Sequence, residues 1–458
     1  IYHNVEGAVN LMMRGEGGGE FLQALPYPHY FDLEADELIE LDFTVQADGQ
    51  IDQILFDSVS YLSGSSSLPD MRFSITDSEG DNTFYENTLR ACTGVSEDVL
   101  SKKYSISLTE SVPVKAGQKM KLILDSSDMN ETLRLAGYIS VGIKNDSFRM
   151  DQPVFEASKR IATGERYQIP FSPYEDSVLK EINFFRMMAI RSDDNRVGIK
   201  VEIIDENSGA VLTSGYIEED LSLMGDFRGK QVVIPLDNEI VLSENEEYIF
   251  SIELIEGSEG IMITGSKIAK ETDWDDALPL FMFGQNPFDR VEGIYYSDLN
   301  FQMYWEDNLE KFERFISILG RADYFIITSN RQWGSTTQIP ERYPLTQQFY
   351  ESLIGCPYDN LQYCYRIADP GCFKGSLGFD LEKTFQVNPH FISVEFNSQF
   401  AEEAFTVYDH PKVFIFKKSN DFNQPSVIDV LNAVNLDEVL VLSPEEADAR
   451  PGKLLLSE

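Results

Sequence analysis

Basic residues are scarce in this chain. Its 458 residues carry 37 lysines and arginines against 77 aspartates and glutamates, a formal net charge of −40. A nucleic-acid binder needs a basic footprint to neutralise phosphates, so that class of partner is excluded. Docking on anionic lipid through this surface is disfavoured for the same reason. The acid excess keeps a large chain soluble, and it leaves a divalent cation as a candidate ligand although no cofactor can be assigned. Histidine and cysteine are equally sparse, at four each. Cys356, Cys364 and Cys372 cluster while Cys92 stands apart, and their spacing lacks the paired CxxC of a zinc site. Cys356 and Cys364 would close a short disulfide loop in an oxidising compartment and stay free thiols in a reducing one. No apolar run approaches the roughly 20 residues needed to cross a bilayer. The chain opens at Ile1 without methionine, so it reads as a processed or excised piece whose anchor would lie outside it.

What is present is β sequence, then something different. The length suggests two to four domains. Met71, Phe73 and Ile75 alternate with polar residues and run into the turn Asp77-Ser78-Glu79-Gly80. Tyr104, Ile106 and Leu108 alternate again, as do Met120, Leu122 and Leu124. The same grammar returns at Val197, Ile199, Val201 and Ile203, and at Tyr248, Phe250, Ile252 and Leu254. Asp77 and Asp205 are 128 residues apart, and so are Gly137 and Gly265. Short strands with polar turns at a constant offset predict two copies of one antiparallel β-sandwich. The expected divisions are 1–150, a sandwich with an N-terminal extension; 151–270, the second sandwich; and 271–458, an α/β domain behind an aromatic-rich linker.

The last third changes period. Leu309 to Leu319 places Leu309, Phe312, Phe315, Ile316 and Leu319 on one helical face. Tyr324 to Ile327 reads as a buried strand ending in the polar run Thr328 to Gly334. Leu345 to Ile354 reads as a helix stopped by Gly355-Cys356-Pro357. Leu361 to Ile367, Phe379 to Val387 and Lys412 to Lys418 read as strands, and Val427 to Val434 as a short helix. In α/β units ligands gather beyond the carboxyl end of a strand, which draws attention to the run after Ile327.

Three constellations carry chemistry. Trp274, Asp275 and Asp276 suit a cation or a sugar stacked on the indole, or else a capped domain junction. Asn330, Arg331 and Trp333, with Arg342 and Tyr343 opening the next helix, suit a phosphate or pyrophosphate held by bidentate guanidinium groups. The competing expectation is that Arg331 and Arg342 pair internally with Glu341 or Asp323. Tyr408, Asp409 and His410 make an acid–base set, against which stands a simple turn closed by Pro411. Asp77 to Asn82 and Ser192 to Asn195 are acidic turns or calcium loops, neither with full EF-hand spacing. No GxSxG elbow and no GxGxxG loop is present.

The stretches ADYFIITSNRQWGSTTQIPERYP (322–344), GSLGFDLEKTFQVNP (375–389) and AEEAFTVYDHPKVFIFKK (401–418) together resemble the extracytoplasmic region of YYY-domain polytopic membrane proteins, a C-type glycosyltransferase-like family. ETDWDDALP and YWEDNLEKFERF are similar to the same soluble region. The resemblance implies an extracytoplasmic, membrane-attached or cell-surface location, flanking transmembrane helices as partner, and a lipid-linked sugar or carbohydrate as ligand. It also implies that the catalytic acid sits between transmembrane helices, so no catalytic residue is expected here. The alternative expectation is a secreted or surface protein that binds glycan, or assembles, through its β modules.

Overall fold

The computed structural model describes residues 7–61, 70–90, 102–126, 132–190, 195–222, 226–272, 299–391 and 394–441. Among them antiparallel sheet dominates, and the few helices fall in the C-terminal part. Two compact units result. One holds residues 7–145 and 151–266; the other holds 146–150, 267–272 and 299–441.

In chain order, the first unit begins with β1 (Val9–Gly15), β2 (Glu20–Leu25), β3 (Tyr30–Leu33), β4 (Leu38–Thr44), β5 (Gly49–Tyr61), β6 (Asp70–Asp77), β7 (Thr83–Arg90), β8 (Lys102–Val114), β9 (Lys119–Asp125), β10 (Leu133–Lys144) and, from Asp151 on, β11 (Arg149–Glu156). It continues with β12 (Arg160–Ala162), β13 (Arg166–Phe171), β14 (Ser177–Ile190), β15 (Arg196–Asp205), β16 (Val211–Asp220), β17 (Lys230–Leu242), β18 (Tyr248–Glu256) and β19 (Gly260–Thr264). Successive side chains of a strand face opposite ways, and here the apolar ones turn inward: Met71, Phe73 and Ile75 on β6 are all buried, as are Val197, Ile199, Val201 and Ile203 on β15.

The sheet order repeats. β4-β9-β6-β7 form one sheet and β13-β18-β15-β16 another. β10 carries β3 and joins β5, which joins β8; β19 carries β12 and joins β14, which joins β17. The registers repeat as well. Leu38 opposes Asp125, and Arg166 opposes Glu253. Phe73 opposes Asn87, and Val201 opposes Gly215. Leu33 opposes Leu133, and Ile161 opposes Ile261. Each residue of one pair lies 128 positions before its counterpart.

One part of the second set comes from elsewhere in the chain. β10 is 12 residues long and lines most of β5, whereas β19 has only 5 residues and covers only one end of β14. The hairpin β1–β2 fills the remainder. Val9, Leu11 and Met13 oppose Phe184, Ile182 and Leu179, as Ile139, Val141 and Ile143 oppose Phe56, Ile54 and Ile51. Residues 9–25, which precede the first set of strands in sequence, thus complete a sheet of the second. Val9, Leu11, Met13, Phe21 and Leu25 join the same apolar core as Ile182, Ile199, Phe250 and Ile261.

The second unit contains β20 (Ile268–Lys270), α1 (Leu309–Arg321), β21 (Tyr324–Ile327), α2 (Arg331–Thr336), α3 (Pro344–Ile354), α4 (Leu361–Ile367), β22 (Phe379–Phe385), the short pair β23 (His390–Phe391) and β24 (Val394–Glu395), β25 (Val413–Lys418) and α5 (Gln424–Asn432). Its four-stranded sheet runs β20-β21-β25-β22, parallel only between β20 and β21. Phe301 lies 4.9–5.0 Å from the rings of Phe315, Phe325 and Phe349, an edge-on and tilted cluster at the heart of this core. Gly355 ends α3 at φ 64°, and a Cβ there would sit 2.0 Å from the Lys374 carbonyl oxygen.

One local expectation changes, and two stretches left unassigned take form. Leu361–Ile367 is the helix α4 and not a strand: the Asn360 side chain accepts from the Tyr363 N–H, and Leu361, Cys364 and Tyr365 bury one face. The polar run after Ile327 folds into α2. Phe405–Asp409 is a single π-helical turn before β25.

Candidate functional site

Among the described residues, an open cleft of the second unit lies at the start of α1. Asn308 caps that helix, its side chain accepting from the Lys311 N–H at 2.9 Å. Just before it the chain makes a tight turn: Gln302 adopts φ 59°, and the Trp305 N–H donates to its carbonyl at 3.0 Å. Beneath this turn lies a buried ammonium. Lys311 Nζ sits 2.6 Å from Asp307 Oδ1, 2.6 Å from Thr346 Oγ1, and 2.8 Å from the carbonyl oxygens of both Met303 and Trp305. Asp307 in turn accepts from the Thr346 N–H and hydroxyl, each at 2.9 Å. Burial pushes the Lys311 pKa down to about 8, against the opposing charge and hydrogen bond of Asp307.

This network fixes the backbone of 303–305 from below, so two aromatic side chains stand outward. Tyr304 is 40% exposed and Trp305 49%. The Tyr304 hydroxyl donates to the Arg331 carbonyl at 3.2 Å, and the Tyr343 hydroxyl lies 3.5 Å from the Tyr304 carbonyl. Arg314 donates from Nε to the Asn300 carbonyl at 2.6 Å and holds its guanidinium 5.2 Å from the Trp305 ring centre. Arg342 lies 5.4 Å over the Tyr343 ring. Its Nε is buried and meets no hydrogen-bond acceptor among the described residues. Burial raises the Tyr343 hydroxyl pKa, with the Arg342 charge opposing. With Glu306, Asn308 and Glu310 on the rim, these residues enclose about 440 Å³.

The residues singled out by sequence scatter around this cleft. Arg342 lines it, and Tyr343 is buried behind it with its hydroxyl at the Tyr304 carbonyl. Arg331 contributes a backbone carbonyl to it and stands at the start of α2. Asn330 accepts from the Thr406 hydroxyl at 3.3 Å. Trp333 is not a surface residue: it is fully buried, donates from Nε1 to the Leu361 carbonyl at 2.9 Å and packs at a tilt 4.4 Å from the Tyr350 ring. It therefore offers no face to a ligand. Tyr408 is exposed, but Asp409 and His410 make no dyad; His410 Nδ1 lies 2.9 Å from the Val387 carbonyl and its ring packs 4.7 Å from Phe405. Trp274, Asp275 and Asp276 lie outside the described residues. Cys356 and Cys364 are joined by a disulfide that ties the end of α3 to α4.

The acidic turn at Asp77 is closed by its own residues, with the Asp77 carboxylate accepting from the Asp81 N–H and from the Asn82 side chain. Among the described residues no three His, Cys, Asp or Glu side chains converge as metal ligands. Sequence reasoning missed Trp305 and Lys311. The available signal was the i, i+4 pair Asp307–Lys311 at a capped helix start, directly after two adjacent aromatics.

No protein-family model matches this chain, and no curated protein does. Among solved structures it is similar to dimeric latent PorU from Porphyromonas gingivalis at 12% identity, covering 59% of this chain and 24% of that one, with a TM-score of 0.18. The chain thus spans about a quarter of that PorU structure. A fucolectin from striped bass (Morone saxatilis) serum matches at 11% identity over 51% of this chain and 82% of its own, with a TM-score of 0.15. The N-terminal CBM22 tandem domain of Xyn10C from Paenibacillus barcinonensis matches at 12% identity over 57% and 93%, with a TM-score of 0.12. Scores this low leave the reading of the cleft to its own residues.

Proposed function

We propose that this chain is an extracytoplasmic carbohydrate-binding protein whose sugar site is the cleft framed by Tyr304 and Trp305. The observation that carries the reading is the half-exposed Trp305 indole, held rigidly outward above a buried ammonium and ringed by Glu306, Asn308, Glu310 and Arg342. A sugar presents apolar C–H faces and polar edges. An aromatic platform matches the first, and carboxylates, amides and guanidinium groups match the second. The disulfide between Cys356 and Cys364 supports an oxidising compartment. The two repeated β sets are then sandwich modules that precede, in sequence, an α/β domain that holds the ligand.

A second reading has its own observation. Tyr304 to Phe315 and Arg342-Tyr343 both fall in the stretches that resemble YYY-domain membrane proteins. In that setting the chain is the extracytoplasmic part of a glycosyltransferase-like protein. The cleft positions sugar or acceptor for catalysis elsewhere, and the chain itself performs no chemistry. Among the described residues no helix is long and apolar enough to cross a membrane.

Glycan-array binding by the whole chain, repeated with Trp305→Ala, tests both readings at once. Binding that disappears in the variant, with its thermal unfolding unchanged, is the expected result. An array without any bound saccharide, or equal binding by the variant, removes the cleft as a sugar site.

A further inference from the structure

The charges around the cleft differ in how firmly they are held. Arg314 and Arg342 are both half-buried and both anchored against aromatic rings. Arg314 has spent its Nε on the Asn300 carbonyl, leaving the two terminal nitrogens beside the indole. Arg342 has a buried Nε without an acceptor among the described residues, and its guanidinium also engages the Tyr343 hydroxyl, which holds the group at the wall of the cleft. The N-terminus of α1, a helix of 13 residues, opens on the same side and adds a partial positive charge. Glu306 and Glu310 are exposed, on side chains free to swing into water.

We propose that the ligand of this cleft is an anionic saccharide: a sugar stacked at Trp305 whose carboxylate or phosphate group is received by Arg342 and Arg314. This rests on the carbohydrate reading above and names its chemical class. The guanidinium fork matches a two-oxygen anion, and a positioned fork loses little freedom on binding. A neutral sugar would fill the aromatic part of the cleft and leave the two guanidinium groups without an anionic partner. The two rim carboxylates oppose an anion, but they can turn outward where the anchored guanidinium groups cannot.

Calorimetric titration of the whole chain with trigalacturonic acid, mannose 6-phosphate and neutral maltotriose tests this. The two acidic probes separate a carboxylate from a phosphate preference. The expected result is at least one acidic probe binding about 10-fold or more tighter than maltotriose, as charge-assisted hydrogen bonds require. Arg342→Gln should bring that probe down to the level of maltotriose, and Glu310→Gln should strengthen it. Arg342→Lys, which retains charge but not the fork, should recover only part of the preference and controls for folding. Equal affinity for acidic and neutral probes, or a preference that survives Arg342→Gln, overturns the anionic assignment while leaving the sugar site standing. If maltotriose binds and both acidic probes fail, the assignment is likewise wrong. No binding by any probe, together with an empty glycan array, defeats the underlying carbohydrate reading instead.

Discussion

Lys311 and Asp307 face each other one helical turn apart at 2.6 Å, with 1% and 0% of their side chains exposed. Their attraction fastens the residues that carry Tyr304 and Trp305 to the first turn of α1 and, through Thr346, to the start of α3. Removing one partner strands the other charge away from water. Asp307→Asn or Lys311→Met should each destabilise the second unit by about 3–5 kcal/mol, the usual cost of breaking a buried pair. The double variant should lose less than the two single losses combined, because no unpaired charge remains. Urea unfolding of the four proteins, with a double-mutant cycle, measures this. Additive losses would mean that the two groups do not stabilise each other.

The same lysine gives the protein a pH signature. In the unfolded chain a lysine titrates near 10.4, whereas in the fold burial holds Lys311 at about 8. Between those two pH values the unfolded chain keeps a proton that the folded chain has released. Stability therefore rises with pH across that window, by a total on the order of 3 kcal/mol from this group. Below pH 8 both states are protonated and the folded state bears the full burial penalty. Tyr343, whose hydroxyl is raised by burial, works in the opposite direction only above its ordinary titration range. The measurable quantity is the difference between wild type and Lys311→Met from pH 7.5 to 10. A flat difference would show that Asp307 keeps Lys311 at its ordinary value.

The hairpin β1–β2 ties the fate of the second β set to residues far from it in sequence. Leu11 is wholly buried opposite Ile182, and Val141 occupies the equivalent place opposite Ile54. Leu11→Ala should cost about 2–5 kcal/mol. Its effect on hydrogen exchange should appear in β14, β17 and β19 and spare β5, β8 and β10. Val141→Ala should give the converse pattern. Faster exchange in β5 on mutating Leu11 would show that the hairpin does not serve the second set.

Much of the strand pattern was legible because a half-buried strand must alternate. Met71, Phe73 and Ile75 announce one inward face without help from any neighbour. The offset of 128 holds down to the bulges: Asp52 is skipped in the ladders of β5, and Lys180, 128 residues later, is skipped in those of β14. Alternation cannot say which sheet a strand joins. Val9, Leu11 and Met13 look like a strand of whichever module lies next in sequence, yet they pair about 170 residues away. Helix α4 was hidden by length, since seven residues with two tyrosines, a leucine and a terminal isoleucine satisfy a strand pattern as well as a helical one; the Asn360 cap decides it. The cleft was half legible. Arg342 is conspicuous before a Pro-started helix, whereas Trp305 stands exposed at the cleft only through the turn that lifts it and the lysine beneath.

That turn leads to a last expectation. Gln302 holds φ 59°, a left-handed conformation that costs a non-glycine residue about 1 kcal/mol. Its N–H donates to the Glu271 carbonyl at 2.8 Å and its carbonyl accepts from Trp305, so the conformation sets where the indole stands. Gln302→Gly relieves the side-chain clash and loosens the unfolded chain by a comparable amount. Net stability should therefore move by no more than about 1 kcal/mol in either direction. Affinity for a cleft ligand should fall nonetheless, because the glycine turn no longer pre-positions Trp305 and ordering it must come from the binding energy. Gln302→Val tests the other side of the argument. A β-branched residue tolerates this conformation worst, so it should destabilise the second unit more than the glycine does. Comparing the melting temperature and the saccharide affinity of both variants separates strain from positioning. If Gln302→Gly binds as tightly as wild type, the turn is a passive connection and the rigidity of Trp305 comes wholly from Lys311.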